Sequence, residues 1–390
     1  MSTGPTHPTV LMLSDVYFPR VNGVSTSIQT FRRDLADLGC ETRLIAPEYP
    51  ASRVDEPGVL RVGSRYLPLD PEDRIMRRRD FRRVVAALPS PADIVHVQTP
   101  FRAHYWGAWL ARRWNAKLVV SYHTYFEQYF HHYLPLVPTA WLEALSRALS
   151  RAQLNRVDQV IAPSQQMADV LTGYGVSVPI EVLPTGLDPE LFTGGDAARF
   201  RRRYGIGADR PMMLTVGRVA FEKNLAFLID VLERVREDVP EVLFVIAGEG
   251  PAQESLRKQA ARRGLAPSLL FVGYLDRRSG LLDCYRSADV FVFASRTETQ
   301  GLVLLEAMAL GTPVISTAVM GTQSVLADAP GAVAVEEDVE TFAAVAIRLL
   351  VDRSEQQTLA RRAARDIALR WSGTEMARRL LELYRRVAGS

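Results

Sequence analysis

One pattern occurs twice along this chain. A short apolar run is followed by an amphipathic stretch whose apolar residues recur at a period near 3.6, and another short apolar run follows. Runs of this length predict buried strands, and the stretches between them predict helices of about 10–15 residues. Strands that alternate with such helices form parallel sheets. The predicted strands fall in two series: 9–14, 41–47, 93–99, 117–123 and 159–164, then 212–217, 243–248, 269–273, 290–295 and 313–317.

The overall composition excludes several classes of protein. Hydrophobic residues make up 47% of the 390 residues and charged residues 23%, so the chain is not disordered. A net charge of +3 is too small to indicate a nucleic-acid partner by itself. Cys40 and Cys284 are far apart and belong to no cysteine or histidine cluster, so we expect neither a disulfide framework nor a zinc site. Without a secretory signal or a long apolar run, we expect a cytoplasmic protein with no membrane span.

Two glutamates lie eight residues apart in SRTETQGLVLLEAMALGTPVIS (295–316). Glu298 follows the predicted strand 290–295, at the carboxyl edge where open α/β sheets bind ligands. Glu306 lies in the first turns of the next predicted helix, and its carboxylate could accept hydrogen bonds from a vicinal diol such as ribose. A helix cap and a solvated glutamate explain the spacing alone more simply. The backbone N–H groups at this helix start that suit a phosphate are those of Gln300, Gly301 and Leu302.

Other candidate residues lie on loops after predicted strands. In GRVAFEKN (217–224), Arg218 and Lys223 could hold a diphosphate and stabilise a leaving group. Gly23 precedes the first helix, where glycine permits close backbone approach to an anion. Gly248 lies in AGEGPAQ, which lacks the third glycine of the dinucleotide fingerprint and is therefore weak evidence for a dehydrogenase. Taken singly, these cations are more often merely solvated, and a plain turn is the more common explanation of Gly23.

His123 ends a predicted strand and could hydrogen-bond a substrate hydroxyl or phosphate. A lone histidine is more often structural. The surrounding segment SYHTYFEQYFHHYLP (121–135) is dense in aromatic residues, which indicates either core or the wall of a site for an apolar or sugar ligand. The adjacent His131 and His132 have a poor spacing for shared ligation on a helix, so we expect no metal site there.

The segment DRIMRRRDFRRVVAAL (73–88) predicts a basic amphipathic helix, with apolar residues recurring at i, i+3, i+4 and i+7. Such a helix suits an anionic membrane surface. An arginine-rich helix that covers a core explains the same pattern equally well. The arginines that would contact a membrane are Arg74, Arg77, Arg78, Arg79, Arg82 and Arg83.

Together these motifs resemble the retaining glycosyltransferase family 4, which contains bacterial phosphatidylinositol mannosyltransferases, sucrose synthases and diacylglycerol glucosyltransferases. The resemblance runs from SDVYFPRVNGVSTSIQTF through SYHT, PTGLD, VGRVAFEKN and IAGEGP to TETQGLVLLEAMALGTPVIS, nearly the whole chain. It implies the GT-B fold, an α/β architecture of two Rossmann-like domains with parallel sheets facing a central cleft. Residues 1–186 plus 372–390 would form the acceptor-side domain and 187–371 the nucleotide-sugar domain, joined by a linker in the Pro- and Gly-rich seam near 184–210.

The resemblance also implies roles for individual residues. Glu298 and Glu306 match the family's E-x7-E pair: the first would contact the donor sugar near its 3-hydroxyl and the second would hold the ribose diol. Arg218 and Lys223 would bind the diphosphate, and His123 would lie near the sugar's 6-hydroxyl. Many members have two consecutive glycines where this chain has Asn22-Gly23. The catalytic set is thus His123, Arg218, Lys223 and Glu298, and the nucleotide-sugar-binding set is Gly23, Gly248, Leu275 (backbone, at the base), Gln300, Gly301, Leu302 and Glu306.

The implied activity is transfer of a hexose from a UDP- or GDP-sugar to an acceptor with retained configuration, and with no metal or other cofactor. The basic helix and the aromatic segment favour a membrane lipid or lipid-linked sugar as acceptor, and a protein that binds the inner face of the cell membrane. A soluble sugar or polysaccharide acceptor, a sugar-nucleotide epimerase and a nucleotide-sugar-binding regulator stay open. The sequence does not determine the donor base, the hexose or the oligomeric state, and no nucleic-acid partner is expected.

Overall fold

The computed structural model describes residues 7–50, 56–67, 70–123, 125, 139–188, 192–277 and 279–389. Contacts divide the chain into two compact units: residues 1–186 with 373–390, and residues 187–372. Each unit contains one parallel sheet with helices, which confirms the predicted α/β class. The predicted boundary placed residue 372 in the first domain. This is wrong by one residue, because Ser372 forms a parallel bridge with Leu187 inside the second unit.

The described residues of the first unit form nine strands: β1 (Val10–Leu13), β2 (Thr42–Pro47), β3 (Val59–Val62), β4 (Ser64–Leu67), β5 (Asp70–Met76), β6 (Ile94–Val97), β7 (Lys117–Ser121), β8 (Gln159–Ala162) and β9 (Ile180–Val182). Seven of them form a parallel sheet in the order β3-β2-β1-β6-β7-β8-β9, and β4 pairs with β5 in a separate antiparallel hairpin. Residues of β1, β6 and β8 are buried throughout, as expected for strands covered on both faces.

The described residues of this part of the chain also form five helices: α1 (Gly23–Asp37), α2 (Arg78–Ala86), α3 (Arg102–Trp114), α4 (Thr139–Leu154) and α5 (Gln165–Gly173). The helix predicted to begin at residue 73 is wrong at its start, since 70–76 is the second strand of the hairpin. Arg74 therefore lies on β5, where its guanidinium stacks 3.7 Å from the ring centre of Tyr66. Arg77 is the N-cap residue of α2.

The second unit has six parallel strands: β10 (Met212–Val216), β11 (Leu243–Ala247), β12 (Leu269–Gly273), β13 (Val290–Phe293), β14 (Val314–Ser316) and β15 (Ala332–Ala334). Their order is β12-β11-β10-β13-β14-β15. This is a doubly wound arrangement, in which the order of successive strands across the sheet reverses between β10 and β13. Alternate residues supply the apolar layers on the two faces of the sheet: Leu214 and Phe291 pack in one, and Met213 and Val292 in the other.

Among the residues described for this unit, eight helices accompany the strands: α6 (Ala197–Tyr204), α7 (Leu225–Asp238), α8 (Gln253–Arg262), α9 (Gly280–Ser287), α10 (Leu302–Ala309), α11 (Thr322–Leu326), α12 (Val339–Val351) and α13 (Arg353–Arg370). The seam near 184–210 is not all linker, because it contains α6, which Asp196 caps through the Arg199 amide. The last helix, α14 (Gly373–Ala388), returns to the first unit and packs its Leu380 and Tyr384 with α1. In the described part of the chain, no helix combines the length and apolarity that a bilayer crossing requires.

Candidate functional site

In the second unit, the residues predicted to bind the nucleotide-sugar donor lie near the point where the strand order reverses. Arg218 and Lys223 follow β10, and Glu298 follows β13, the neighbouring strand. The carboxyl ends of parallel strands share one edge, and the crevice outside the reversal point is where doubly wound sheets bind ligands. The strand order thus provides a physical reason why residues 75 positions apart in sequence meet.

Lys223 and Glu298 are in direct contact. Lys223 ends a short 3-10 turn, Phe221–Lys223, and its Nζ lies 2.5 Å from Oε2 of Glu298. The two side chains are 17% and 23% exposed, so the pair is partly shielded from water yet open on one side. A charge-assisted hydrogen bond of this kind fixes both side chains before any ligand arrives. Arg218, half-buried, lies on the same loop, whose turn is closed by hydrogen bonds from Ala220 N to Arg218 O and from Lys223 N to Ala220 O.

Gly248 lets the loops after β10 and β11 approach each other closely. A β-carbon at this position would lie 1.9 Å from the carbonyl oxygen of Gly217, and the φ of +143° favours glycine. The amide of Gly217 donates to Ala247 O at 3.0 Å, and that of Val219 donates to Glu249 O at 2.9 Å. The predicted binding role of Gly248 stays a prediction. Its role within the unit is to allow the loop that carries Arg218 to pack against its neighbour.

Glycines also shape the loop between Glu298 and α10. Gly301 caps α10 with a φ of +97°, and Leu302 is the first residue of the helix, as the sequence predicted. Gly321 packs against this loop: its amide donates to Glu298 O at 2.9 Å, and a β-carbon there would lie 2.0 Å from Thr299 O. Gln300 is buried. The backbone amides considered for phosphate binding therefore lie at a helix start that tight packing holds in place.

Glu306 occupies a different environment from Glu298. Its carboxylate is almost fully buried; Oε1 accepts a hydrogen bond from Arg277 at 2.5 Å and Oε2 one from the Tyr285 hydroxyl at 2.9 Å. Burial, then the Glu306 charge, raises the pKa of Tyr285, so its hydroxyl stays a donor. The sequence pattern missed both partners. Arg277 could have been suspected, since it lies two residues after Leu275, which is half-buried in the segment predicted to meet the base.

In the first unit, His123 lies two residues beyond β7 and its Nε2 is 2.8 Å from Oε1 of Gln98, which follows the adjacent strand β6. Burial lowers the pKa of His123 to about 4, so the imidazole is neutral at physiological pH. It borders a small cavity that Gln98, His104 and Gln153 also line. Gln98 was missed by the motif search, although its place at the end of a neighbouring strand was a usable signal. Of the aromatic segment 121–135, Thr124 and residues 126–135 lie outside the described residues.

Gly23 is the first residue of α1, and a β-carbon there would meet nothing within 4 Å. The preceding Asn22 caps the helix, because its side-chain oxygen accepts from Ser25 N at 2.8 Å. Asparagine is among the most favourable N-cap residues, which gives Asn22 a structural purpose that a glycine would not serve. The space beside Gly23 is consistent with the predicted backbone approach by an anion, which stays a prediction.

Helix α2 covers a core. Phe81, the apolar centre of its inward side, is 2% exposed and stacks on Trp106 of α3 with ring centres 4.2 Å apart. The apolar face of α2 is therefore not available to a bilayer, and only its polar side faces outward. The exposed arginines on and next to this helix are Arg77, Arg78, Arg79, Arg82 and Arg83, whereas Arg74 is half-buried on β5.

Within the described ranges there is no group of three or more histidine, cysteine, aspartate or glutamate side chains that could hold a metal ion. Cys40 and Cys284 are both buried, and neither forms a disulfide bond. The predicted independence from metals stays a prediction.

Two family descriptions match the chain: "Glycosyltransferase Family 4" over residues 21–191 and "Glycosyl transferases group 1" over 196–366. An alpha-monoglucosyldiacylglycerol synthase of Streptococcus pneumoniae is 31% identical over 78% of this chain and 70% of its own length. A D-inositol 3-phosphate glycosyltransferase of Stackebrandtia nassauensis is 30% identical over 92% of this chain and 85% of its own. Among solved structures, HepE from Anabaena in complex with UDP-glucose aligns with a TM-score of 0.75 at 18% identity, covering 97% of this chain and 99% of that one.

Proposed function

The chain belongs to glycosyltransferase family 4, with the GT-B fold, and we propose that it transfers a hexose from a UDP- or GDP-sugar to a membrane lipid or lipid-linked sugar, with retention of configuration. The observation that carries the proposal is the Lys223–Glu298 pair at the reversal point of the second sheet, next to the glycine-shaped start of α10. A cation suits a diphosphate, and a carboxylate beside it suits a sugar hydroxyl.

In the proposed reaction, the bond between the anomeric carbon and the diphosphate oxygen breaks while a bond to the acceptor oxygen forms on the same face of the sugar. The proton of the acceptor hydroxyl passes to the departing diphosphate. Lys223 and Arg218 stabilise the negative charge that develops on that leaving group, and the start of α10 adds backbone N–H groups. Glu298 positions the hexose by accepting from a hydroxyl, and its contact with Lys223 orients both groups beforehand.

His123 is proposed to act as a neutral hydrogen-bonding group on the sugar. Its depressed pKa means that it carries no positive charge at physiological pH, so it can orient a hydroxyl but cannot neutralise a phosphate. Gln98 orients the imidazole ring through its contact with Nε2. We therefore propose that cations of the second unit bind the diphosphate and that the neutral His123 binds a hydroxyl of the sugar.

The lipid acceptor is supported by the name of the S. pneumoniae relative, a glucosyldiacylglycerol synthase. The S. nassauensis relative, a D-inositol 3-phosphate glycosyltransferase, favours a second candidate, transfer to a soluble acceptor such as an inositol phosphate. An assay that offers UDP-glucose, UDP-galactose and GDP-mannose with either diacylglycerol in mixed micelles or a soluble inositol phosphate decides between them. Radiolabelled hexose is expected in the organic phase. Label that enters only water-soluble product would overturn the lipid acceptor.

The site assignment is tested by Lys223→Ala and Glu298→Gln, with Lys258→Ala as the matched control. Lys258 lies on α8 of the same unit, 69% exposed and paired only with Glu254 one turn away. Removing a charge stabiliser of the leaving group lowers turnover by about 100-fold or more, so we expect that loss for Lys223→Ala. Glu298→Gln weakens the positioning of the hexose, and misplacement of a reacting group costs about 100-fold as well. The control should keep wild-type turnover. Near-normal turnover in Lys223→Ala and Glu298→Gln would contradict the assignment of these two residues to the active site.

A further inference from the structure

Two neighbouring helices of the first unit expose a line of large apolar side chains. On α3 and its N-cap the line recurs every four residues, and on α4 it does the same. These six are half of the twelve large apolar side chains that are exposed among the described residues of the chain. We call them the α3–α4 face: Phe101, Tyr105, Trp109, Trp141, Leu145 and Leu149.

The carboxyl end of α4 contacts the start of the line on α3. Gln153 lies one turn after Leu149 on the same side of α4, and its amide donates to the Tyr105 hydroxyl at 3.2 Å and to Pro100 O at 3.0 Å. Trp141 is 76% exposed and Leu145 56%. Alanines at 144, 148 and 152 are also exposed on α4. Among the side chains described for this helix, the exposed polar ones are its arginines, Arg147 and Arg151. Exposed apolar side chains that cluster on neighbouring elements mark an interaction site.

The rim of this face is strongly basic. Helices α2, α3 and α4 together contain nine arginines and two carboxylates, and the two carboxylates, Asp80 and Glu143, each pair with an arginine of their own helix. Phe81 joins α2 to the face through its contacts with Trp106 and Trp109. The exposed arginines of these helices, with the N-cap of α2, are Arg77, Arg78, Arg79, Arg82, Arg83, Arg112, Arg113, Arg147 and Arg151.

We propose that the α3–α4 face docks into the interfacial layer of an anionic lipid bilayer, with the α2 arginines contacting lipid phosphates beside it. Tryptophan, tyrosine and leucine ringed by cations are the side chains that such a layer accepts, since rings and methyl groups enter the acyl boundary while guanidinium groups stay with the headgroups. This corrects the role that the sequence suggested for α2: the apolar contribution comes from α3 and α4, because the apolar side of α2 is packed inside.

The proposal rests on the lipid acceptor of the proposed function, and the structure links the two. Gln153, which joins the lines of α3 and α4, also lines the cavity beside His123 and Gln98. A lipid whose acyl chains remain at the α3–α4 face would therefore have a polar, histidine-lined cavity next to its headgroup. The bilayer and the acceptor would be presented at the same place on the unit.

Vesicle co-sedimentation tests the docking. Phosphatidylcholine vesicles with or without phosphatidylglycerol are mixed with the wild type, with the triple variant Trp141→Ser/Leu145→Ser/Leu149→Ser, or with the control Val351→Ser/Leu369→Ser. Val351 and Leu369 are 66% and 76% exposed on the second unit, so the control removes comparable surface elsewhere. We expect the triple variant to bind phosphatidylglycerol vesicles about tenfold or more weakly than wild type, and the control to bind normally.

Glutamine at the five exposed arginines on and next to α2 should abolish the preference for phosphatidylglycerol, and salt should weaken the wild-type binding. Unchanged vesicle binding by the triple variant overturns the proposal. So does a wild-type dimer in sedimentation velocity that the triple variant dissociates, since the face would then belong to a second copy. If the triple variant fails to fold, Leu145→Ser alone gives the same comparison. Docking that is confirmed while no lipid product forms in the acceptor assay would refute the proposed function and leave the docking face intact.

Discussion

The buried carboxylate of Glu306 should make an unusually large contribution to the stability of the second unit. Replacement by alanine removes the acceptor of the Arg277 guanidinium and leaves the fully buried Tyr285 hydroxyl with a long, 3.4 Å contact to Val303 O. An unsatisfied buried hydroxyl costs about 1–3 kcal/mol and a lost bond to a charged group about 1.5–3 kcal/mol. Part of this is offset because the carboxylate no longer has to be desolvated. We expect the free energy of unfolding to fall by about 3 kcal/mol.

Glutamine at the same position should be much less damaging. Its oxygen can accept from Arg277, and its amide group can donate to the oxygen of Tyr285, so both contacts survive without the charge. The expected loss is about 1 kcal/mol. Glu306→Gln would then separate a structural from a binding role, because it preserves the fold while weakening any hydrogen bonds from a ribose diol that need an anionic acceptor.

A double-mutant cycle measures the contact itself. Glu306→Ala and Arg277→Ala are made singly and together, and the same cycle is run on the exposed pair Arg296–Glu337, whose side chains are 60% and 28% exposed. Unfolding free energies come from hydrogen exchange of peptides in α9 and α10, which report on the second unit alone. We expect a coupling energy of about 2 kcal/mol for the buried pair and below about 1 kcal/mol for the exposed one. Equal coupling energies would refute the assigned importance of burial.

Two further outcomes follow from the described contacts. Gly248→Ala should lower the melting temperature of the second unit far more than Gly217→Ala does. Both glycines have φ near +145°, but only a β-carbon at 248 meets a backbone oxygen. Equal shifts in melting temperature would show that this steric contact is unimportant. The first unit should lose stability as the pH falls from about 6.5 towards 4, because its buried histidines stay neutral while those of the unfolded chain take up protons. The carboxyl of Asp15, whose pKa burial raises to about 6, opposes this but is one group against three. A melting temperature that does not fall between about pH 7 and pH 5 would contradict it. The histidines, with pKa values lowered by burial to about 3, 4 and 4, are His96, His104 and His123.

The sequence was most informative where a clear apolar run ends close to a candidate functional residue. The strands that became β10 and β13 were predicted within one or two residues, and their carboxyl ends brought Lys223 to Glu298. Two short strands, β9 and β15, were missed because their three residues are only partly buried and form no clear apolar run. The equally short β14 is buried throughout and was predicted. The end of the hairpin strand β5 was mistaken for the first turn of a helix because Arg74 continues the arginine-rich composition of α2.

Amphipathic periodicity could not identify what covers an apolar helix face, and α2 and α4 illustrate the two outcomes. On α2 the apolar residues fit either a bilayer or a core, and the decision came from Trp106, a residue of another helix that stacks on Phe81. On α4 the spacing of Trp141, Leu145 and Leu149 would ordinarily predict burial, yet these side chains are exposed, because Leu142, Ser146 and Ser150 of the same helix face inward instead.

The two glutamates of the eight-residue pair show why motif spacing and chemical environment are separate questions. Glu298 follows a strand and meets one cation at a partly open edge, so a ligand can reach it by competing with Lys223 alone. Glu306 lies inside the packed face of α10, where a buried tyrosine and an arginine already use both oxygens. A ribose that binds there must share the carboxylate with Arg277 or displace it, so Arg277→Ala should change nucleotide affinity more than it changes the turnover of bound donor. Isothermal titration with UDP and GDP, set against single-turnover transfer, measures the two effects. Loss of turnover without loss of affinity would place Arg277 on the reacting sugar instead of the nucleotide.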